Sequence, residues 1–121
     1  VVMLIREERV LLLGDACNYL TFLHEPYSTS VKEYKENLET LKPQVEGKCD
    51  AVYLSHGAGN GDVGLIDGVI AVCQDIMDGH TDDIPFGFKD SKGFLAKAEV
   101  ERDVRRDGGI GNVIYSKERI F

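Results

Sequence analysis

The chain has 121 residues, the length of one modest domain, and 43% of them are hydrophobic while 29% are charged, a balance typical of globular proteins. Its 21 acidic residues outnumber the 14 lysines and arginines, which gives a formal charge of −7 and disfavours nucleic acid and anionic membranes as partners. We therefore predict a single domain over residues 1–121 that binds neither nucleic acid nor a membrane.

The three cysteines predict a reducing, cytoplasmic setting. Cys17, Cys49 and Cys73 are odd in number, and no two of them have the C-x-x-C spacing of a zinc knuckle or a redox motif. We expect Cys49 in a surface link and Cys73 in the core. No apolar stretch approaches the roughly 18 residues of a membrane span, and the N-terminus lacks the basic region of a signal peptide.

The first elements along the chain predict a β-hairpin. The apolar residues 1–5 and the apolar run 10–13 flank a charged turn at residues 6–9. The second run is continuous and not alternating, which is typical of a strand covered on both faces. Gly14 and Asp15 are expected to end this strand, and a loop is expected to follow through residues 18–27.

A helix with a defined start is predicted after the loop. Ser30 and Glu33 have the spacing of a capping box. Because Pro43 cannot continue a helix interior, we expect regular helix to stop near Leu41 or Lys42. One apolar stripe is predicted along this helix, formed by Val31, Tyr34, Leu38, Leu41 and Val45.

The remaining elements alternate between strands and helices. They are a short buried strand at residues 51–54, a Gly-rich turn at 56–61, a helix over about 62–78 that is capped by Asp62 and closed by Gly79, a polar loop at 80–83, and strands at 84–89 and 110–115. The pattern of residues 94–105 is ambiguous between strand and helix, and we favour a helix from Leu95 onward. The order of hairpin, helix, strand, helix and β-rich tail predicts an α/β fold with helices packed on a sheet.

Two polar side chains follow the ends of buried strands, where open α/β sheets bind their ligands. Asp15 is a candidate metal ligand, and the alternative is a carboxylate that only caps a turn. His56 is the second candidate ligand, and the alternative is a structural histidine that makes hydrogen bonds. Two ligands are fewer than the roughly three that a catalytic zinc site takes from the protein.

Three further residues are weaker candidates. Cys17 is interpreted as a third ligand, a reactive thiol or a small packed hydrophobe, and the adjacent carboxylate favours the last because it disfavours the thiolate. His24 either faces a substrate or lies on the surface of the predicted loop. His80, in a polar turn, is expected to be exposed to solvent.

The glycines after the predicted strand at 51–54 form a competing pattern. Gly59, Gly61 and Gly64 fit the G-x-G-x-x-G fingerprint of dinucleotide-binding domains, and the acids at residues 82–83 lie about far enough along to hold a ribose. Three features disfavour this interpretation. The two acids precede the next strand instead of ending it, Asp62 would lie near the pyrophosphate, and the preceding hairpin is not the first part of a nucleotide-binding half.

The order of these motifs is similar to that in the metallo-β-lactamase superfamily of hydrolases. The segment VLLLGDACN at residues 10–18 resembles the one that carries the family's metal-bridging aspartate. The segment VYLSHG at residues 52–57 resembles the one that carries its last metal-binding histidine. In the family a capped helix separates the two, as predicted here at residues 30–42. The resemblance covers nearly the whole chain and is looser after about residue 89.

This resemblance implies a hydrolytic site with two metal ions. Asp15 would be shared between the ions, His56 would bind the second, and Cys17, Asn18 or His24 would orient the ligands or face the substrate. Zinc is the implied metal, with iron and manganese as alternatives. The implied substrate is a small-molecule ester, lactone, thioester, amide or phosphoester, attacked by a hydroxide that the metals generate at neutral pH.

One departure from the family pattern changes the prediction. The H-x-H-x-D-H ligand motif is absent, and the histidines are His24, His56 and His80 alone. We therefore expect the C-terminal half of an αββα metallo-β-lactamase-like sandwich, with weak or absent metal binding and no hydrolysis by this chain alone. We also expect a homodimer that covers the surface where the other half would pack. The alternatives are a non-catalytic ligand-binding or interaction module and a dinucleotide-binding domain.

Overall fold

The structure is a computed structural model, and it describes residues 3–14, 20–23, 29–54, 60–61, 64–86, 93–101, 104–118 and 120–121. These residues form a mixed α/β fold, as predicted. In chain order the elements are β1 (Met3–Ile5), β2 (Val10–Gly14), β3 (Leu20–Leu23), α1 (Val31–Val45), β4 (Ala51–Leu54), β5 (Asn60–Gly61), α2 (Leu65–Asp78), β6 (Ile84–Phe86), β7 (Gly93–Leu95), β8 (Glu99–Glu101), β9 (Val104–Arg105) and β10 (Asn112–Tyr115).

The first sheet has the strand order β1-β2-β4-β5, with β1 at one edge. β1 and β2 form the predicted antiparallel hairpin, in which Ile5 pairs with Val10 across the charged turn. β2 then pairs in parallel with β4, and Leu11 lies opposite Val52 in the register. Both of these side chains are buried in the core. Because parallel neighbours cannot be joined by a tight turn, the chain between them leaves the sheet and passes through α1.

The second sheet has the order β3-β10-β7-β6 and is organised around β10, whose four residues are all buried. β10 pairs in parallel with β3 and antiparallel with β7. The fully buried Asn112 side chain bonds both backbone groups of Lys97. The Lys97 N–H donates to Asn112 Oδ1 at 3.1 Å, and Asn112 Nδ2 donates to the Lys97 carbonyl at 2.7 Å. This amide therefore replaces a backbone pairing where the chain leaves β7.

Helix α1 begins as predicted and ends later than predicted. The Glu33 N–H donates to Ser30 Oγ at 3.1 Å, which is the expected cap. The predicted stripe faces the core, with Val31, Leu38 and Val45 buried. The expected stop near Leu41 or Lys42 is wrong, because Pro43 lies inside the helix. Only two helical residues, Gln44 and Val45, follow the proline, and the burial of Val45 offsets the lost backbone hydrogen bond.

Helix α2 packs against both α1 and β10. It begins at Leu65, three residues after the predicted start, because Asn60 and Gly61 first pair with β4 as the short strand β5. Its N-cap is therefore Gly64 and not the predicted Asp62, which lies outside the described residues. The C-cap is Gly79 in the left-handed conformation, as predicted. The buried face is formed by Leu65, Ile66, Val69, Val72, Cys73 and Ile76.

Two predicted elements are corrected by long-range pairing. The expected loop over residues 18–27 contains β3, and the expected helix from Leu95 is replaced by the end of β7 and by the two-stranded ribbon β8-β9. β3 pairs with β10, which is far away in the sequence, so no local pattern predicts this strand. In the ribbon, strand pairing overrides a segment whose composition favours helix.

Neither α1 nor α2 has the length and apolar character that crossing a membrane requires, and no other helix occurs among the described residues.

The contact between α2 and the approach to β10 depends on Gly68. A methyl group at this position would collide with the backbone carbonyl of Ile110, which cannot move away without displacing β10. On the other side of the contact, Gly111 has φ +86°, and a Cβ there would lie 2.7 Å from Val69 Cγ2. Two glycines thus allow the helix and the strand to approach closely.

We predict that Gly68→Ala destabilises the protein by about 1–3 kcal/mol, although alanine alone would favour a helix by about 1 kcal/mol. The exposed Ala71 on the same helix provides the control. Ala71→Gly should cost only the propensity difference of about 1 kcal/mol. Urea unfolding of the two variants and the wild type measures both effects, and a stabilised Gly68→Ala protein would contradict the close contact.

Candidate functional site

The predicted site lies where β2 and β4 end side by side. Gly14 is the last residue of β2 and pairs in the register with Leu54, the last residue of β4, after an irregularity between Leu12 and Gly14. Because the strands are parallel, their carboxyl ends lie side by side, and the chain leaves both strands at the same end of the sheet.

The candidate residues themselves lie outside the described part of the chain. These residues are Asp15, Cys17, Asn18, His24 and His56. Asp15 follows Gly14 by one peptide bond, and His56 follows Leu54 by two. Their attachment to paired strand ends agrees with a shared site, and their roles stay predictions.

A carboxylate and an imidazole suit a divalent metal ion. Zinc accepts both donors, and manganese and iron accept the same pair. Within the described residues alone, no group of three or more histidine, cysteine, aspartate or glutamate side chains is arranged to hold a metal. Asp15 and His56 lie outside this part of the chain.

The described cysteines and His80 have the surroundings that the sequence predicts. Cys73 is fully buried in the core, and Cys49 is half-buried in the link that precedes β4, with its Sγ 3.9 Å from the Val45 carbonyl oxygen. Neither of them forms a disulfide bond within the described part of the chain. His80 is exposed.

The structure contains a polar cluster near the end of β10 that the sequence did not predict. The Tyr115 and Thr81 hydroxyls both donate to Asp83 Oδ1, the latter at 2.6 Å. Lys117 Nζ lies 3.2 Å from Asp83 Oδ2 and 4.5 Å from the centre of the Phe94 ring. The cluster joins the loop after α2 to the end of β10. No local signal reveals it, because Asp83 and Tyr115 are far apart in the sequence.

The surroundings of this cluster favour an ionised Asp83 and a protonated Tyr115. The hydrogen bonds from Thr81 and Tyr115, followed by the contact with Lys117, hold the pKa of Asp83 below its usual value. Burial and the hydrogen bond to Asp83 raise the pKa of Tyr115 to about 12. Because an acid–base catalyst works best with a pKa near the working pH, these two groups suit a structural clamp better than proton transfer.

The Gly-rich segment does not have the arrangement of a dinucleotide fingerprint. Such a fingerprint turns directly from a strand into a helix, whereas here Asn60 and Gly61 pair with β4 before the helix begins. The acids proposed to hold a ribose are also occupied. Asp82 Oδ2 accepts a hydrogen bond from the Ala98 N–H at 2.8 Å, and Asp83 belongs to the Tyr115 cluster.

Two clefts flank the C-terminal half of α1, at the opposite end of β2 from Gly14. The first has a volume of about 330 Å³, and the ion pair of Lys42 with Asp67, 2.7 Å long, lies on its wall. We call the second the β1–α1 cleft. It has a volume of about 340 Å³ and is lined by Leu4, Arg6, Leu41, Gln44, Val45 and Lys48.

We predict that Asp83 contributes to a loss of stability in acid. Its pKa is lowered in the folded state, so its contribution is present above the unfolded value of about 3.9 and is lost as the pH falls through the folded value. Asp83→Asn should reduce stability at pH 7 by on the order of 1 kcal/mol and flatten the acid limb of the stability curve. Asparagine tolerates the left-handed backbone at this position, where φ is 47°. Glu8→Gln, in the exposed hairpin turn, is the control for urea unfolding between pH 2 and 7 and should leave the acid limb unchanged.

We also predict that one tyrosine titrates late. The raised pKa of Tyr115 means that its contribution to stability is complete below pH 10 and is lost as the pH rises through about 12. Phenolate absorbance should therefore show a late-titrating group that Tyr115→Phe removes. Loss of a group that titrates near pH 10 instead would contradict the Asp83–Tyr115 bond.

No family model matches the chain, and no curated protein matches it. Support for a function therefore comes from the residue pattern and from the paired strand ends at Gly14 and Leu54.

Proposed function

We propose that this chain forms the C-terminal half of a metallo-β-lactamase-like, metal-dependent hydrolase, with Asp15 and His56 as its metal ligands. The observation that supports this proposal most directly is the parallel pairing of β2 with β4, which brings Gly14 opposite Leu54. The stretches of chain that contain Asp15 and His56 therefore follow neighbouring strand ends of one sheet.

The elements between the two motifs agree with the proposal. The resemblance implies a capped helix between the aspartate and the histidine, and α1 lies there with Ser30 as its N-cap. The hairpin before the aspartate and the second helix after the histidine are also present, as β1-β2 and α2. The hairpin, the capped helix and the second helix thus follow the order that the resemblance implies, whereas β3, which lies between the two motifs, was not expected.

The chemistry assigned to each residue follows from its donor atoms. The Asp15 carboxylate has two oxygens and can contact two ions, whereas the His56 imidazole supplies one nitrogen to a single ion. Cys17, Asn18 and His24 remain candidates for orienting these ligands or facing a substrate. When bound, the metal ions polarise the attacked group and activate water, with zinc as the first choice and iron or manganese as alternatives.

The ligand count limits what this chain does alone. The H-x-H-x-D-H motif that supplies most of the family's ligands is absent from the sequence. A catalytic zinc ion takes about three ligands from the protein, so two ligands give weak binding and no hydrolysis without the missing motif. The substrate is a small molecule with an ester, lactone, thioester, amide or phosphoester bond.

We predict weak, site-specific binding of a divalent metal, which nuclear magnetic resonance can detect. On titration with Co²⁺ or Mn²⁺, the amide signals of Gly14 and Leu54 should broaden before those of Val10 and Ala51. The latter pair lies at the other end of the same two strands. Strands rise about 3.3 Å per residue, so the ends of β2 are about 13 Å apart.

Variants of the proposed ligands test whether this broadening reports the predicted site. The double variant Asp15→Ala/His56→Ala should abolish it, because both metal-binding side chains are removed. His80→Ala, at an exposed histidine, should leave it unchanged. Equal broadening at both strand ends, or broadening that survives the double variant, would refute the assignment of Asp15 and His56.

A further inference from the structure

The β1–α1 cleft lies beside the edge of the first sheet. Its only described strand residue is Leu4 of β1, whereas the cleft on the other side of α1 includes Leu11 of β2. Among the described residues, β1 has β2 as its single strand neighbour. An edge strand beside a helix is an arrangement that accepts an extended peptide as an additional strand.

The described lining of the cleft combines apolar side chains with two cations. Leu4, Leu41 and Val45 supply apolar side chains, and Arg6 and Lys48 supply its charges. Arg6 directly follows β1, and the guanidinium of Arg9 in the same turn donates to the carbonyl of Gly47, next to Lys48, at 2.8 Å. Both cations therefore belong to the end of the cleft where the hairpin turns.

These two cations differ from most others in the described chain. Arg6 and Lys48 are exposed, line a cleft that has no acidic residue among its described lining, and form no ion pair with a described residue. By contrast, Lys35, Lys42 and Lys97 each have a carboxylate within 3.0 Å. In a chain with a formal charge of −7, a cleft with two such cations is complementary to an acidic ligand.

We propose that the β1–α1 cleft binds an extended peptide segment of a partner protein, with an apolar residue and an acidic residue two positions apart. In a strand, residues two apart face the same side and lie about 7 Å from each other. The apolar side chain then contacts Leu4, Leu41 and Val45, and the acidic side chain lies between Arg6 and Lys48. The peptide backbone pairs with the edge of β1.

Fluorescence polarisation with blocked, labelled hexapeptides tests the proposal. A peptide that contains Val-Thr-Glu should bind saturably. Its Val-Thr-Gln counterpart should bind about tenfold more weakly because it lacks the charge. The rearranged Val-Glu-Thr peptide should weaken similarly, because its carboxylate faces the other side of the strand. Equal binding of all three peptides would overturn the proposal.

Protein variants locate the binding surface. Arg6→Glu and Lys48→Glu should each weaken binding of the Val-Thr-Glu peptide by at least about tenfold. Both side chains are exposed, so circular dichroism should remain unchanged. Lys32→Glu changes the charge equally at an exposed position of α1 that does not line the cleft, and it should leave binding within about twofold. An equal effect of Lys32→Glu would mean a general charge effect and would overturn the proposal.

Two further measurements distinguish a peptide site in the β1–α1 cleft from the metal site and from a dimer interface. Asp15→Ala/His56→Ala should leave peptide binding unchanged, so failure of the metal proposal and failure of the peptide proposal are distinguishable. Sedimentation should show no self-association that depends on Arg6 or Lys48. If a dimer forms and Arg6→Glu dissociates it, the occupant is a second copy of this chain and the partner-peptide proposal is refuted.

Discussion

The parallel pairing of β2 with β4 is the constraint on which the rest of the structure depends. Parallel strands cannot be joined by a tight turn, so the chain between them leaves the sheet and returns through α1. The pair buries Leu11 and Val52 in the core. It also separates the two proposed sites, because Gly14 and Leu54 lie at the carboxyl ends of the two strands while the link from α1 to β4 lies at their amino ends.

The second sheet is held to this framework mainly through α2. The helix packs against α1 on one side and β10 on the other, and the latter contact is possible because Gly68 leaves room for the Ile110 carbonyl. Two groups of polar side chains then stabilise the chain around β10. Asn112 bonds the backbone of Lys97, and Asp83 gathers the side chains of Tyr115, Thr81 and Lys117. In both cases, side-chain hydrogen bonds satisfy polar groups where regular strand pairing ends.

The two proposals concern opposite ends of β2 and therefore do not depend on each other. The metal proposal concerns the edge after Gly14 and uses donor atoms whose identity is set by the sequence. The peptide proposal concerns the cleft between β1 and α1 and uses its apolar lining residues and two exposed cations. If both proposals hold, the protein binds a partner peptide near one end of the β2–β4 pair and contributes metal ligands at the other end.

Local patterns in the sequence determined the hairpin, the cap and apolar face of α1, the strand β4 and the end of α2 at Gly79, because each depends on residues a few positions apart. They also identified Asp15 and His56 as candidate ligands by residue type and position. Only the tertiary structure decided that Leu20–Leu23 is a strand, that residues after Leu95 form a ribbon, and that Pro43 remains inside a helix. The same is true of the Asp83–Tyr115 bond and the β1–α1 cleft. In each case the stabilising partner is distant in the sequence, so its burial or hydrogen bonding overrides a preference that neighbouring residues alone would set.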